Sequence, residues 1–147
     1  MSKGRRKLRV IGLDFGEKTC GVSVSDPFGW TAQGVETIRR KDQENLKDTI
    51  KRIDELIKQY SAEKIVLGYP INMNNTIGPR AERTQQFKKR IEKDLSIEVE
   101  LWDERMSTIA AKRSLIEADI SRSKQKKVID KMAAVYILQG YLDKHSS

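Results

Sequence analysis

Asp14 is out of keeping with its surroundings. It lies in Arg9-Val-Ile-Gly-Leu-Asp-Phe15, where Val10, Ile11, Leu13 and Phe15 form a near-continuous apolar run. Such a run marks a strand covered on both faces. A carboxylate buried there is costly unless a cation or strong donors meet it. Two chemistries answer that need. One is a metal-binding Asp at the end of a central strand; the other is an Asp that closes a turn by accepting backbone N–H groups. Further along, Asp103 and Glu104 stand side by side directly after the alternating stretch Ile97-Glu-Val-Glu-Leu-Trp102. Their simplest local role is an ion pair with Arg105. Asp130 shares a helical face with Ala133, Ala134, Ile137 and Tyr141, by spacings of three, four, seven and eleven. Its local alternatives are pairings with Lys126 or Lys131, but its face-mates are small or apolar.

Other chemistry-bearing types are scarce. Cys20 is the only cysteine, so an internal disulfide is excluded. It reads as a core or half-buried thiol in a reducing cytoplasm. The only histidine, His145, lies in the last three residues and reads as a frayed tail.

The first strand is followed by a second, in which Val22 and Val24 alternate with Ser23 and Ser25; Gly16 and Gly21 bracket the connection. A turn at Asp26-Pro-Phe-Gly29 leads to a third strand over 31–39, completing an antiparallel meander. Asp42 is the expected N-cap of a helix whose apolar stripe is Leu46, Ile50, Ile53, Ile57 and Tyr60. Lys64 to Gly68 is a short buried strand, placed parallel to the first by the helix before it, and Pro70 ends it. The amide-rich loop over 71–78 precedes Pro79, which suits the first turn of a helix with Thr84, Phe87, Ile91 and Leu95 on its core side. After the strand ending at Trp102, Ser107 or Thr108 caps a helix carrying Ala110, Ala111, Leu115 and Ala118. Ser121 to Lys127 reads as a basic loop, and a last helix runs from about 126 to 144.

The 147 residues suit one domain with a single sizeable core, residues 1–147, with 1–7 as a flexible basic tail. No apolar run approaches the roughly 20 residues of a membrane span, which excludes a helical membrane protein from the expectation. Lys and Arg number 29 against 21 Asp and Glu, a net charge of +8 with a pI near 9.6. Such a balance favours an anionic partner, most simply nucleic acid.

Four stretches together carry a resemblance. They are Asp14-Phe-Gly-Glu-Lys with Gly21-Val-Ser-Val-Ser-Asp26; Leu67-Gly-Tyr-Pro-Ile-Asn-Met73 with Gly78-Pro-Arg-Ala-Glu82; Trp102-Asp-Glu-Arg-Met-Ser-Thr108; and Asp130-Lys-Met-Ala-Ala134 with Ile137-Leu-Gln139. In this order the chain resembles the YqgF (RuvX) family of ribonuclease H-like nucleases, relatives of the RuvC-type Holliday junction resolvases. The resemblance covers nearly the whole chain. It implies an α/β ribonuclease H-like fold, with a mixed five-stranded sheet (three antiparallel strands, then parallel ones) flanked by helices. It implies Asp14, Glu104 and Asp130 as catalytic metal ligands, with Asp103 a further candidate, and Mg²⁺ or Mn²⁺ as cofactor. Hard cations want such oxygen ligands, and they activate water and offset phosphodiester charge. Loop amides and basic residues then become nucleic-acid contacts: Asn72, Asn74, Arg80, Arg83, Arg105, Arg122, Lys124, Lys126 and Lys127.

The function implied is a metal-dependent endonuclease on structured nucleic acid in the cytoplasm, maturing the 5′ end of small-subunit rRNA precursor. The alternative within enzymes is Holliday junction resolution on branched DNA, which needs a homodimer rather than a monomer. An alternative of another class is a non-catalytic RNA-binding module. Asp14-x-Gly-x-x-x-x-Gly21-Val also resembles the first phosphate motif of actin-like sugar kinases, but those need a second similar domain.

Phosphate contacts release counterions, so binding should weaken steeply with salt. Neutralising Arg80, Arg83 and the 122–127 basic run together should flatten the slope of log affinity against log salt. An unchanged slope would assign these residues to a merely solvated surface.

Overall fold

The computed structural model describes residues 9–42, 45–70, 77–104 and 122–145, with side chains from residue 132 onward in the last stretch. Strand β1 (Arg9–Phe15) lies at the centre of the sheet, because both of its faces are apolar enough to be covered. Strand β2 (Thr19–Ser25) pairs with it antiparallel, setting Leu13 opposite Val22 and Asp14 opposite Gly21. The hairpin closes through the Gly16 N–H, which donates to the Thr19 carbonyl at 2.7 Å. Strand β3 (Ala32–Arg39) extends the meander. The turn before it is held by Asp26, whose carboxylate accepts from the Thr31 hydroxyl and from the backbone N–H groups of Phe28, Trp30 and Thr31. These bonds, the Thr31 hydroxyl foremost, hold the Asp26 carboxyl below its ordinary pKa.

Helix α1 (Lys47–Tyr60) returns the chain to β4 (Ala62–Tyr69), which lies parallel to β1 on its other side. Helix α2 (Pro79–Leu95) then leads to β5 (Glu98–Asp103), parallel to β4. The strand order is β3-β2-β1-β4-β5. The expected mixed five-stranded sheet is therefore present.

Alternation along β1 divides the molecule into two cores. Ile11, Leu13 and Phe15 join Cys20, Val22 and Val24 of β2 and meet Ile53 and Leu56 of α1 and Phe87 and Ile91 of α2. Phe15 stacks on Phe87, with centroids 4.0 Å apart, a contact worth roughly 0.5–1.5 kcal/mol beyond burial. The other face of the sheet, carrying Val10 and Val66, is covered by Ile137, Leu138, Tyr141 and Leu142 of helix α3 (Arg122–His145). Ser23 and Ser25 lie on this second face and are fully buried. Their hydroxyls are satisfied: Ser23 donates to the Ala134 carbonyl at 2.8 Å, and Ser25 accepts from the Val10 N–H at 2.8 Å.

Helix α3 sits unusually low on β1. A Cβ added at Gly12 would lie 2.7 Å from Leu138 Cβ and 3.1 Å from the Ala134 carbonyl oxygen, so only a residue without a side chain fits there. Ala133 and Ala134 are buried at the same contact.

Several expectations are corrected. Arg122 to Lys127 belong to α3 and are not a loop. Lys, Arg and Gln are good helix formers, and no Gly or Pro interrupts the run. Asp42 does not cap α1. Leu46 occupies the N-cap without a side-chain bond, and the nearest substitute is the Asn45 carboxamide, which accepts from the Lys47 N–H. His145 is not a frayed residue, because it ends α3 and its ring lies 4.3 Å from that of Tyr141. The 71–76 segment, the basic tail over 1–7 and the helix expected around Ala110 to Ala118 lie outside the described residues.

Gly12→Val should cost about 1–3 kcal/mol in urea denaturation, the usual penalty of overpacking. A change below about 0.5 kcal/mol would mean that α3 can lift off β1 freely.

Candidate active site

The C-terminal ends of the parallel strands gather the acidic residues. Asp14 occupies the penultimate position of β1, on the α3 face, with its side chain 6% exposed. Alternation decides that orientation. Its neighbours Leu13 and Phe15 are claimed by the opposite core, so Asp14 follows Gly12 toward α3. Arg80 approaches from the first turn of α2, its Nη2 3.4 Å from Asp14 Oδ1. Pro79 at the helix start, after the extended Gly78, sets that first turn at the strand ends.

Glu104 follows β5 immediately and is half-buried. Its Oε1 lies 3.2 Å from the point where a Cβ on Gly68 would stand. Gly68 is opposite Trp102 on β5, and the register Leu13 to Leu67, continued by one residue, puts Asp14 beside Gly68. Adjacent strands are about 4.8 Å apart, so the Glu104 carboxylate stands over the bare backbone of Gly68, one strand from Asp14 and on the same sheet face. Along β5, Trp102 packs with the α3 core and Leu101 with the other. Alternation therefore sends Asp103 to the α1–α2 face and leaves Glu104 as the neighbour of Asp14.

The backbone of Asp130 lies in α3, one turn before Ala134. That helix runs opposite to β1: Tyr141 meets Lys64, the partner of Val10, whereas Ala134 and Leu138 sit at Gly12. One turn back is about 5.4 Å, and two strand residues from Gly12 to Asp14 are about 6.6 Å. Residue 130 is thus carried toward the Asp14 end of the strand. Its side chain lies outside the described residues, as do those of Arg122, Lys124, Lys126 and Lys127 on the first turns of α3. Asn72, Asn74 and Arg105 are likewise outside. Arg83 is half-buried on α2, one turn beyond Arg80.

Two positioning residues escape sequence reading: Gly68, which looks like an ordinary strand glycine, and Ser23, which looks like a solvent-facing hydroxyl. The visible signal for Gly68 was its place just before Tyr69-Pro70, at the end of a parallel strand.

A family model described as Holliday junction resolvase, RuvX, matches residues 8–144. The chain belongs to the RuvX family. A RuvX relative from Bacillus subtilis is 57% identical over 136 residues, covering 92% of this chain and 98% of its own length. One from Clostridium tetani is 52% identical, covering 92% and 96%. Both names carry the words pre-16S rRNA nuclease. Among solved structures, Thermus thermophilus RuvC in complex with a Holliday junction substrate superposes with a TM-score of 0.57 at 13% identity, covering 96% of this chain and 98% of that one. The yeast mitochondrial Holliday junction resolvase gives 0.51 at 11% identity, covering 93% and 78%. These likenesses show a shared ribonuclease H-like fold for this RuvX chain.

Gly68→Ala tests the Glu104 placement. The added methyl meets both Ile137 Cδ1 and Glu104 Oε1. Stability should fall and then recover when Ile137→Val removes the colliding methyl, while cleavage stays depressed. Full cleavage by the double variant would show that Glu104 needs no room over Gly68.

Proposed function

We propose that this RuvX chain is a divalent-metal-dependent endonuclease that trims the 5′ flank of small-subunit rRNA precursor. Its class, a phosphodiester-cleaving hydrolase, is that of its family and of its named relatives. One observation supports the site assignment: a carboxylate buried in the apolar central strand, with a second carboxylate over a glycine of the adjacent strand on the same face. Asp14, Glu104 and Asp130 would hold Mg²⁺ or Mn²⁺. An all-carboxylate donor set fits such hard cations and leaves nothing for a soft metal. A divalent ion there supplies charge neutralisation at the phosphodiester and a more acidic water.

The chain's own residues do the rest. Asp14 is held in β1 opposite Gly21 of β2, with its side chain only 6% exposed. Arg80 partly offsets its charge before an ion arrives, and its half-exposed guanidinium stands where an incoming phosphate would reach it. Asn72 and Asn74 of the 71–76 segment, Arg105, and Arg122, Lys124, Lys126 and Lys127 of the first turns of α3 are proposed to track the strand on either side.

A second reading is supported by the family description itself: resolution of four-way DNA junctions. It requires two active sites acting in concert, hence a homodimer. No helix among the described residues is long and apolar enough to cross a membrane. We place the protein in the cytoplasm, where precursor rRNA is processed.

Purified protein with Mg²⁺ or Mn²⁺ should cut an rRNA-precursor fragment in preference to a four-way junction; the reverse preference would favour the second reading. Asp14→Asn and Asp130→Asn should each lower cleavage roughly a hundredfold or more, the scale of losing a group that manages transition-state charge, with the fold retained by circular dichroism. Normal cleavage by Asp130→Asn would return that residue to a surface pairing with Lys126, worth at most about 1 kcal/mol. Full activity in excess EDTA would overturn metal dependence, and no cleavage of either substrate would favour a binding module.

A further inference from the structure

On the sheet face away from Asp14, a cleft of about 300 Å³ opens between the end of β3, the start of α1 and the outer side of α2. Arg40, Arg83, Gln86 and Arg90 form its polar wall, and the stacked Phe15 and Phe87 its apolar one. Arg40 is the unusual member. It is only 7% exposed, its guanidinium lies 4.6 Å from the centroid of the Phe15 ring, and its Nη2 donates to the Gly16 and Glu17 carbonyls. Its Nε and Nη1 are buried without a hydrogen-bond partner among the described residues, and it has no ion pair among them. Burial lowers the Arg40 pKa and the neighbouring Cys20 opposes that, yet a guanidinium stays charged in proteins.

A buried cation with unused donors is costly, and an anion is the partner that offsets both the charge and the unmet donors. Arg83 adds a second guanidinium with no ion pair among the described residues. Arg90 adds a third, shared with Asp94 at 3.1 Å. Among the described residues, positive charge therefore exceeds negative charge at this cleft. The arginines are also aligned. Arg80, Arg83 and Arg90 recur at spacings of three and seven, so they share one stripe of α2. Along that stripe Arg83 stands about 4.5 Å and Arg90 about 15 Å from Arg80, the residue that meets Asp14.

We propose that this cleft is a second phosphate-binding site, separate from the carboxylate cluster. The group it takes is a phosphate with several free oxygens, which arginine forks match well. It comes either from the backbone of a strand whose neighbouring phosphate lies at Asp14, or from a free mononucleotide. The strand source rests on the endonuclease reading; the phosphate site itself does not.

The test compares wild type with Arg83→Gln/Arg90→Gln and with Lys89→Gln, which removes a charge from α2 outside the cleft. Inorganic phosphate and AMP, titrated at constant ionic strength, should raise the melting temperature of wild type and Lys89→Gln saturably, and not that of the double variant. Each lost charged contact weakens binding by roughly tenfold or more. A fluorescein-labelled single-stranded RNA, bound in the Asp14→Asn background so that it is not cut, should lose affinity on the same scale if the strand supplies the phosphate. If AMP responds and the RNA does not, the source is a free nucleotide. Arg40→Gln should also abolish the phosphate effect; if it fails to fold, the double variant still decides. Equal behaviour of the double variant and Lys89→Gln in all three titrations overturns the site. Wild type that binds phosphate but cuts no nucleic acid would instead overturn the endonuclease reading and leave the site standing.

Discussion

The close seating of α3 on β1 is the constraint on which the site depends. Gly12 has no side chain, Ala133 and Ala134 have the smallest available, and Ser23 ties the Ala134 carbonyl to β2 at 2.8 Å. Together they hold the helix nearer the sheet than larger side chains would permit. That closeness matters chemically because an Asp side chain is short. A helix lifted by one more methylene layer would carry the backbone of residue 130 farther from Asp14, and the proposed three-carboxylate site needs the two close. Well-packed cores do not deform continuously, so the spacing is held as a property of the whole second core.

Electrostatics follows from the same geometry. Asp14 is buried in the strand with the least freedom to move it away, so the chain must compensate its charge in place. Arg80 does part of this from α2, at a distance long enough to leave the guanidinium half-exposed. Glu104 adds a further negative charge nearby, an arrangement that favours a cation between the two carboxylates. The opposite face repeats the problem with reversed sign, where Arg40 is buried over Phe15 and two further arginines face the same cleft. A sheet with buried acid on one face and buried base on the other, both at the strand ends, suits a partner that carries phosphates and recruits cations.

Much of this architecture was legible beforehand because it rests on local pattern. The apolar run of β1, the alternation of β2 and the stripe of α1 each encode their element through periodicity. Errors arose where periodicity was silent. The run from Arg122 to Lys127 has no apolar face to reveal a helix, yet its residues favour one. Asp42 had the right chemistry for a cap, but the chain turns once more before α1 begins at Lys47.

The sequence by itself determined that a carboxylate would be buried in a central strand, that further acids would follow β5 and ride on the last helix, and that the surface would be basic. It left open which of Asp103 and Glu104 approaches Asp14. Strand geometry separates the two. Trp102 is committed to the α3 core, so strand alternation turns Asp103 away, and Gly68 on the adjacent strand leaves space for Glu104. Likewise nothing in the sequence joins Arg40, at the end of β3, to Arg83 and Arg90 on α2. Such convergence depends on strand register and helix seating, and these are fixed only when every element packs at once.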